Sequence, residues 1–222
     1  MRRYLAVLMV CCIVLTMLTG CLEVKKKTEE PVTNNSEISG GNNEVSENDI
    51  DEALDNLEDS GVTLDPELES LLEDIDQEDI DAAVAANADV KVTADLPEGW
   101  ELDEAAVVPL SAKNGFNMVM VTKGWMPDGG NDAKAAADDA INQIKEFFED
   151  AEYSAVENKK MAGYDGASFY IDISLTASMI QRQEYFYFIK DGQVFMIQGA
   201  YMADDEAAAS EVQKIMDSVK IE

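Results

Sequence analysis

"QEYFYFIKDGQVFMIQGAY", residues 183 to 201, is the stretch whose reading decides the fold. Asp191-Gly192 divides two apolar runs, and this pair suits a type I′ turn, which needs φ above zero at both central residues. The two runs are therefore neighbouring antiparallel strands. Tyr185-Phe186-Tyr187-Phe188-Ile189 does not alternate with polar residues. A strand with one wet face alternates, so this one belongs at the centre of a sheet, covered on both faces.

Outward from that hairpin the pattern continues. Tyr153 to Met161 and Ala167 to Ser174 flank Gly163-Tyr164-Asp165-Gly166, a second hairpin signal. Before them, Asp128-Gly129-Gly130-Asn131 breaks the chain. Ala137, Ala140, Ile141, Ile144, Phe147 and Phe148 then recur with the period of an amphipathic helix. "VKVTADLP" (residues 90 to 97) and "NMVMVTK" (residues 117 to 123) read as short strands. Asp204 is placed to cap a last helix that turns Val212, Ile215, Met216 and Val219 inward. The order is two or three strands, a long helix, four strands and a final helix. Hairpins dominate, so the fold class is α+β, a mostly antiparallel sheet covered by two helices.

Pro97-Glu98-Gly99-Trp100 after the first strand, Gly163 before "GASFYIDI", "FYFIKDGQVFMIQGAY", and a final helix ending in "IMDSVKI" resemble the Mog1/PsbP α/β/α sandwich family. The resemblance spans residues 91 to 222 and lies in element order and short non-catalytic motifs. It implies a non-enzymatic accessory or binding module, with family members secreted as bacterial lipoproteins the nearest analogue. It places no family functional residue on this chain. A cystatin-like or NTF2-like sheet is the alternative fold.

The N-terminus is organised differently. Arg2 and Arg3 precede an apolar run from Tyr4 to Leu18, then Thr19, Gly20 and Cys21. A spanning helix usually needs roughly twenty apolar residues, so the run fits a signal-peptide h-region better than an uncleaved anchor, the alternative. Leu18-Thr19-Gly20-Cys21 resembles the lipobox of bacterial lipoproteins. That resemblance implies a diacylglyceryl group on the Cys21 sulfur, cleavage after Gly20, and a chain held on the extracytoplasmic face of the cell membrane. Two or more acyl chains anchor stably where one binds marginally.

Four segments follow: a signal peptide (1–20), a disordered tether (21–48), an acidic segment with short helices (49–90) and the sandwich domain (91–222). Residues 22 to 90 hold 22 acidic residues and three lysines, a net charge of −19. As a flexible coil this stretch would span roughly 45 Å. Lys25, Lys26 and Lys27 would each gain about 1 kcal/mol beside anionic headgroups. Leu64, Leu68, Leu71, Leu72 and Ile75 recur at helical spacing, with Asp65-Pro66 as a helix start. They form either transient helices or a docking stripe.

Composition excludes much chemistry. The chain has no His, and if Cys11 and Cys12 leave with the signal peptide only Cys21 of its three Cys remains, its sulfur bound to lipid as the lipobox resemblance implies. Disulfides, thiolate nucleophiles, Cys- or His-ligated metals and His general bases are thereby removed. With 46 acidic against 16 basic residues, nucleic acid is an unsuitable partner and anionic wall polymers are repelled. Asp74 to Asp81 invites calcium, but without an EF-hand's central Gly and spacing it offers diffuse cation association at most. A His-independent hydrolase using Lys or carboxylates is the enzymatic alternative, and no motif supports it.

The expected function is that of a lipid-anchored accessory module for an envelope protein or small ligand, with no cofactor. "KGWMPDGGN" (residues 123 to 131) is the most suggestive loop, because Trp125 and Met126 could anchor a partner there or fold back over the core. Met179 and Ile180 form a smaller apolar tip between strands, open to the same two readings. Trp100 is read as core.

Overall fold

Period-two alternation and tight turns build an eight-stranded antiparallel sheet. The computed structural model describes residues 90–103, 108–123, 132–148, 150–176 and 179–222. Among the described residues four strands precede the first helix: β1 (Val92–Thr93), β2 (Glu101–Leu102), β3 (Leu110–Asn114) and β4 (Asn117–Lys123). After α1 (Ala133–Phe147) come β5 (Glu152–Tyr153), β6 (Glu157–Met161), β7 (Tyr164–Thr176), β8 (Met179–Lys190) and β9 (Gln193–Met202). The chain closes with α2 (Glu206–Ser218) and β10 (Lys220–Ile221). The main sheet runs β2-β3-β4-β9-β8-β7-β5, with β6 also on β7, while β1 and β10 form a separate pair.

The opening stretch behaves as its composition requires. Asp191 and Gly192 have φ of 52° and 74°, and Lys190 pairs with Gln193 across the two-residue turn. β8 lies between β7 and β9, and Tyr185, Phe186, Tyr187 and Phe188 are all buried. Tyr185 and Tyr187 pack with Phe169, Ile171 and Met196 beneath α1. Phe186 and Phe188 pack with Ile197, Val212 and Ile215 on the α2 side. α1 lies over β7 and β8 on one face, and α2 over β9 and β4 on the other. The result is the expected α+β sandwich.

Several local expectations shift. The second hairpin turns at Ala162-Gly163 (φ 53° and 84°), with Met161 opposite Tyr164, so β7 begins three residues before Ala167. Alanine takes the left-handed position there at a cost of about 1 kcal/mol. The single strand expected over Tyr153 to Met161 is two, β5 and β6. Between them the Ser154 hydroxyl accepts the Tyr170 amide at 2.8 Å, substituting a side chain for a ladder bond. The cap of α2 is Asp205, one residue beyond Asp204. The Asp205 amide closes a turn onto Met202, and its carboxylate accepts from Ala207 and Ala208. "VKVTADLP" yields only the two residues of β1, which join β10 and not the main sheet. Asp132 caps α1 by accepting from the Lys134 amide.

Trp100 is core, as expected, and its indole donates to Glu211 of α2 at 2.8 Å. Among the described residues no helix is long and apolar enough to cross a membrane. Cys21, the cleavage point after Gly20, the acidic segment, Trp125 and Met126 lie outside the described residues.

Candidate functional site

Because α2 is offset toward β4 and β9, part of its face of the sheet over β7 and β8 is left to polar and aromatic side chains. Asp172 of β7 stands directly opposite Arg182 of β8. The guanidinium donates through Nε and Nη2 to the two carboxylate oxygens at 2.7 and 2.6 Å, a bidentate fork. It also lies 4.1 Å from the ring centroid of Tyr170, on the same face of β7. Those Asp172 hydrogen bonds hold Arg182 fully cationic, its pKa raised above the ordinary arginine value against the opposing effect of burial. Tyr170 is 37% exposed. A flat aromatic ring and a fixed cation thus face solvent on two long strands.

Beside them, Tyr201 of β9 donates its hydroxyl to Glu184 at 2.5 Å, and Lys159 of β6 reaches Glu184 at 3.9 Å and Gln213 of α2 at 3.3 Å. Burial, followed by the bond to Glu184, raises the Tyr201 pKa well above its ordinary 10.0. Burial raises that of Tyr153 as well. Below pH 10.0 both folded and unfolded chains hold these protons, so the contribution is complete. As pH rises through the raised value the unfolded chain releases them first, and stability is lost. Unfolding free energies from urea titrations should fall as pH rises above 10.0, with a shallower fall in Tyr201→Phe. An unchanged slope in that variant would count against Tyr201.

The α1 face holds a second polar group, fully enclosed. Gln183 accepts at Oε1 from Tyr185 Oη (2.6 Å) and Gln198 Nε2 (3.1 Å), and donates to Gln181 Oε1 (2.8 Å). All four side chains are buried. Such a network specifies one arrangement of β8 and β9 in a core otherwise made of aliphatic, Met and aromatic side chains.

A shallow groove of about 520 Å³ lies where the start of α1 meets β6 and β7, lined by Asp132, Lys134, Asn158, Lys159, Lys160 and Asp165. Its lysines are engaged with carboxylates, Lys134 with Asp138, Lys159 with Glu184 and Lys160 with Asp165. Among the described residues no three carboxylates or other ligating side chains gather to hold a metal ion.

Of the apolar positions singled out in the sequence, Met179 and Ile180 are exposed, at 37% and 44%. The Tyr170–Asp172–Arg182 group gave no sequence signal. Its partners meet only through the β7–β8 register, which slips by one residue between Ser174 and Thr176. Counting back from the Thr176–Met179 pair without that bulge would set Asp172 against Gln183.

No protein-family model matches the chain, and no curated protein matches it. Solved structures do. They include LpqN of Mycobacterium tuberculosis, described as involved in cell envelope biogenesis (11% identity, 60% of this chain and 83% of that one, TM-score 0.38). Cyanobacterial PsbP (CyanoP) from Synechocystis sp. PCC 6803 is another (10% identity, 60% and 92%, TM-score 0.40). A third is a protein of Bacteroides thetaiotaomicron (13% identity, 59% and 45%, TM-score 0.36). These likenesses are of chain arrangement alone.

Proposed function

We propose that this protein is a lipoprotein held on the extracytoplasmic face of the membrane through Cys21, and that its domain is a non-enzymatic accessory module. The domain binds an envelope protein or small ligand through the bare part of the α2 face. The observation that carries this reading is the Tyr170–Arg182 pair, fixed by the Asp172 fork. Tyrosine and arginine dominate binding energy at interfaces, and a side chain already ordered loses little entropy when a partner arrives. The anchor is supported by the lipobox-like Leu18-Thr19-Gly20-Cys21.

Two measurements test it. Mass analysis of the mature chain should find a lipid-modified Cys21 as first residue, and an unmodified Met1 refutes the anchor. A photo-crosslinker at Ser174, exposed on the same face, should give a discrete adduct in native membranes. That adduct should fall about tenfold in Arg182→Ala, the effect of losing about 1.4 kcal/mol. Equal labelling from Ser174 and from Asn142, exposed on α1, would overturn the assignment of the face.

A further inference from the structure

Arg182 stands between Asp172 of β7 and Tyr201 of β9 in one cross-strand row, and Glu152 of β5 extends that row to the edge of the sheet. Two residues to one side Tyr170 lies opposite Glu184, and two residues to the other Ser174 lies opposite Ile180. Residues two apart on a strand share a face, so Tyr170, Arg182 and Ile180 line one strip beside α2, with about 13 Å between the rows of Tyr170 and Ile180. Both of these apolar side chains are exposed. Lys159, which reaches Glu184 and Gln213, closes the strip at the Tyr170 end. At the other end it opens toward exposed Met179, level with Phe116 of the β3–β4 turn.

The cations of the strip are engaged, Arg182 by Asp172 and Lys159 by Glu184. The carboxylates around it are not. Glu152 and Glu157 are exposed along the outer edge, on the same face as Tyr170. Glu206 is exposed on α2 two turns before Gln213, and the contact of Gln213 with Lys159 turns that flank of the helix toward the strip. Asp204 is exposed in the turn leading into α2, where the Ala203 amide donates to the Ile180 carbonyl. None of these four carboxylates forms an ion pair among the described residues.

We propose that the strip takes a basic amphipathic segment of a partner protein. Its apolar side chains cover Tyr170 and Ile180, and its Lys or Arg side chains meet Glu152, Glu157, Asp204 and Glu206. The inference rests on the assignment of this face as the binding surface, made above, and adds the chemistry of what binds. The bare strands β8, β7 and β5 are about 10 Å across, the diameter of one helix. Charge selects among occupants. Residues 49 to 90 carry the leucine stripe of this chain but hold 16 acidic residues and no basic one, so the strip repels them. A second copy would set like charges against each other, since residues 91 to 222 carry a net charge of −13. That same charge steers a basic segment toward the domain and speeds its association.

The test uses full-length chains in native membranes. The adduct from the photo-crosslinker at Ser174 is digested, and the attached peptide is sequenced by mass spectrometry. That peptide should hold more Lys and Arg than Asp and Glu, with apolar residues among them. Glu152→Gln with Glu206→Gln should cut the adduct several-fold, as should Ile180→Ser. Glu98→Gln with Glu101→Gln removes two exposed carboxylates at the β2 edge, the opposite side of the sheet, and should leave the adduct unchanged. An adduct to lipid, to an acidic or uncharged peptide, to residues 49 to 90 or to a second copy overturns the basic partner and leaves the face standing. Equal loss in the two double variants reveals general charge attraction alone and also overturns it. Absence of any adduct at Ser174, or equal labelling from Ser174 and Asn142, refutes the face and this inference with it. Circular dichroism of each variant confirms the fold.

Discussion

Gly166→Ala is expected to destabilise the domain by about 3 kcal/mol, at the upper end of what overpacking costs. Gly166 lies opposite Phe188 in the β7–β8 ladder. A methyl group there would press on the Tyr187 carbonyl oxygen and come within 2.8 Å of the Phe186 ring. The first of these is backbone of the central strand, which cannot step aside as a flexible side chain does. β7 must therefore move, and the buried aromatic stack of Phe186 and Phe188 moves with it. Gly115→Ala is the control. Its φ of 59° penalises alanine by about 1 kcal/mol, yet a methyl group there meets nothing within 4 Å. Urea unfolding should separate the two variants clearly, and equal midpoints would refute the steric account.

Gln183→Leu should cost about 3 kcal/mol, because leucine fills much of the space but removes three hydrogen bonds from buried polar neighbours. Tyr185 Oη loses an acceptor, Gln198 loses another, and Gln181 Oε1 loses its donor. A buried group without its partner costs about 1–3 kcal/mol, and relaxation makes the three losses less than additive. Replacing Gln181, Gln183 and Gln198 by Leu together with Tyr185→Phe should recover most of the loss, since no polar atom of the network then remains. A quadruple variant less stable than Gln183→Leu alone would show that the residues act through shape and not through their hydrogen bonds.

These two effects sit on features of very different legibility. The buried aromatic run, the Asp-Gly hairpin and the apolar faces of both helices are local patterns, and each stands where its periodicity puts it. Gln181 and Gln183 also obey the alternation of β8, on the side facing α1. Nothing local distinguishes them from glutamines on a wet face, because their burial depends on what packs above. The turn at Ala162-Gly163 was displaced for a similar reason. Gly166 looks like a turn residue in sequence, but its lack of a side chain serves a close approach to β8.

By itself the sequence determined the two helices and the strand groups they separate, the antiparallel hairpins, the core faces of the helices and the chemistry the chain cannot perform without His. Those properties depend on residue type and short-range period. Only the tertiary structure decided that Asp172 meets Arg182 under Tyr170, that three glutamines share one interior network, and that Phe116 and Ile180 occupy one end of the sheet. Each needs the register between strands, and a single bulge at Ser174 to Thr176 reassigns every cross-strand partner beyond it.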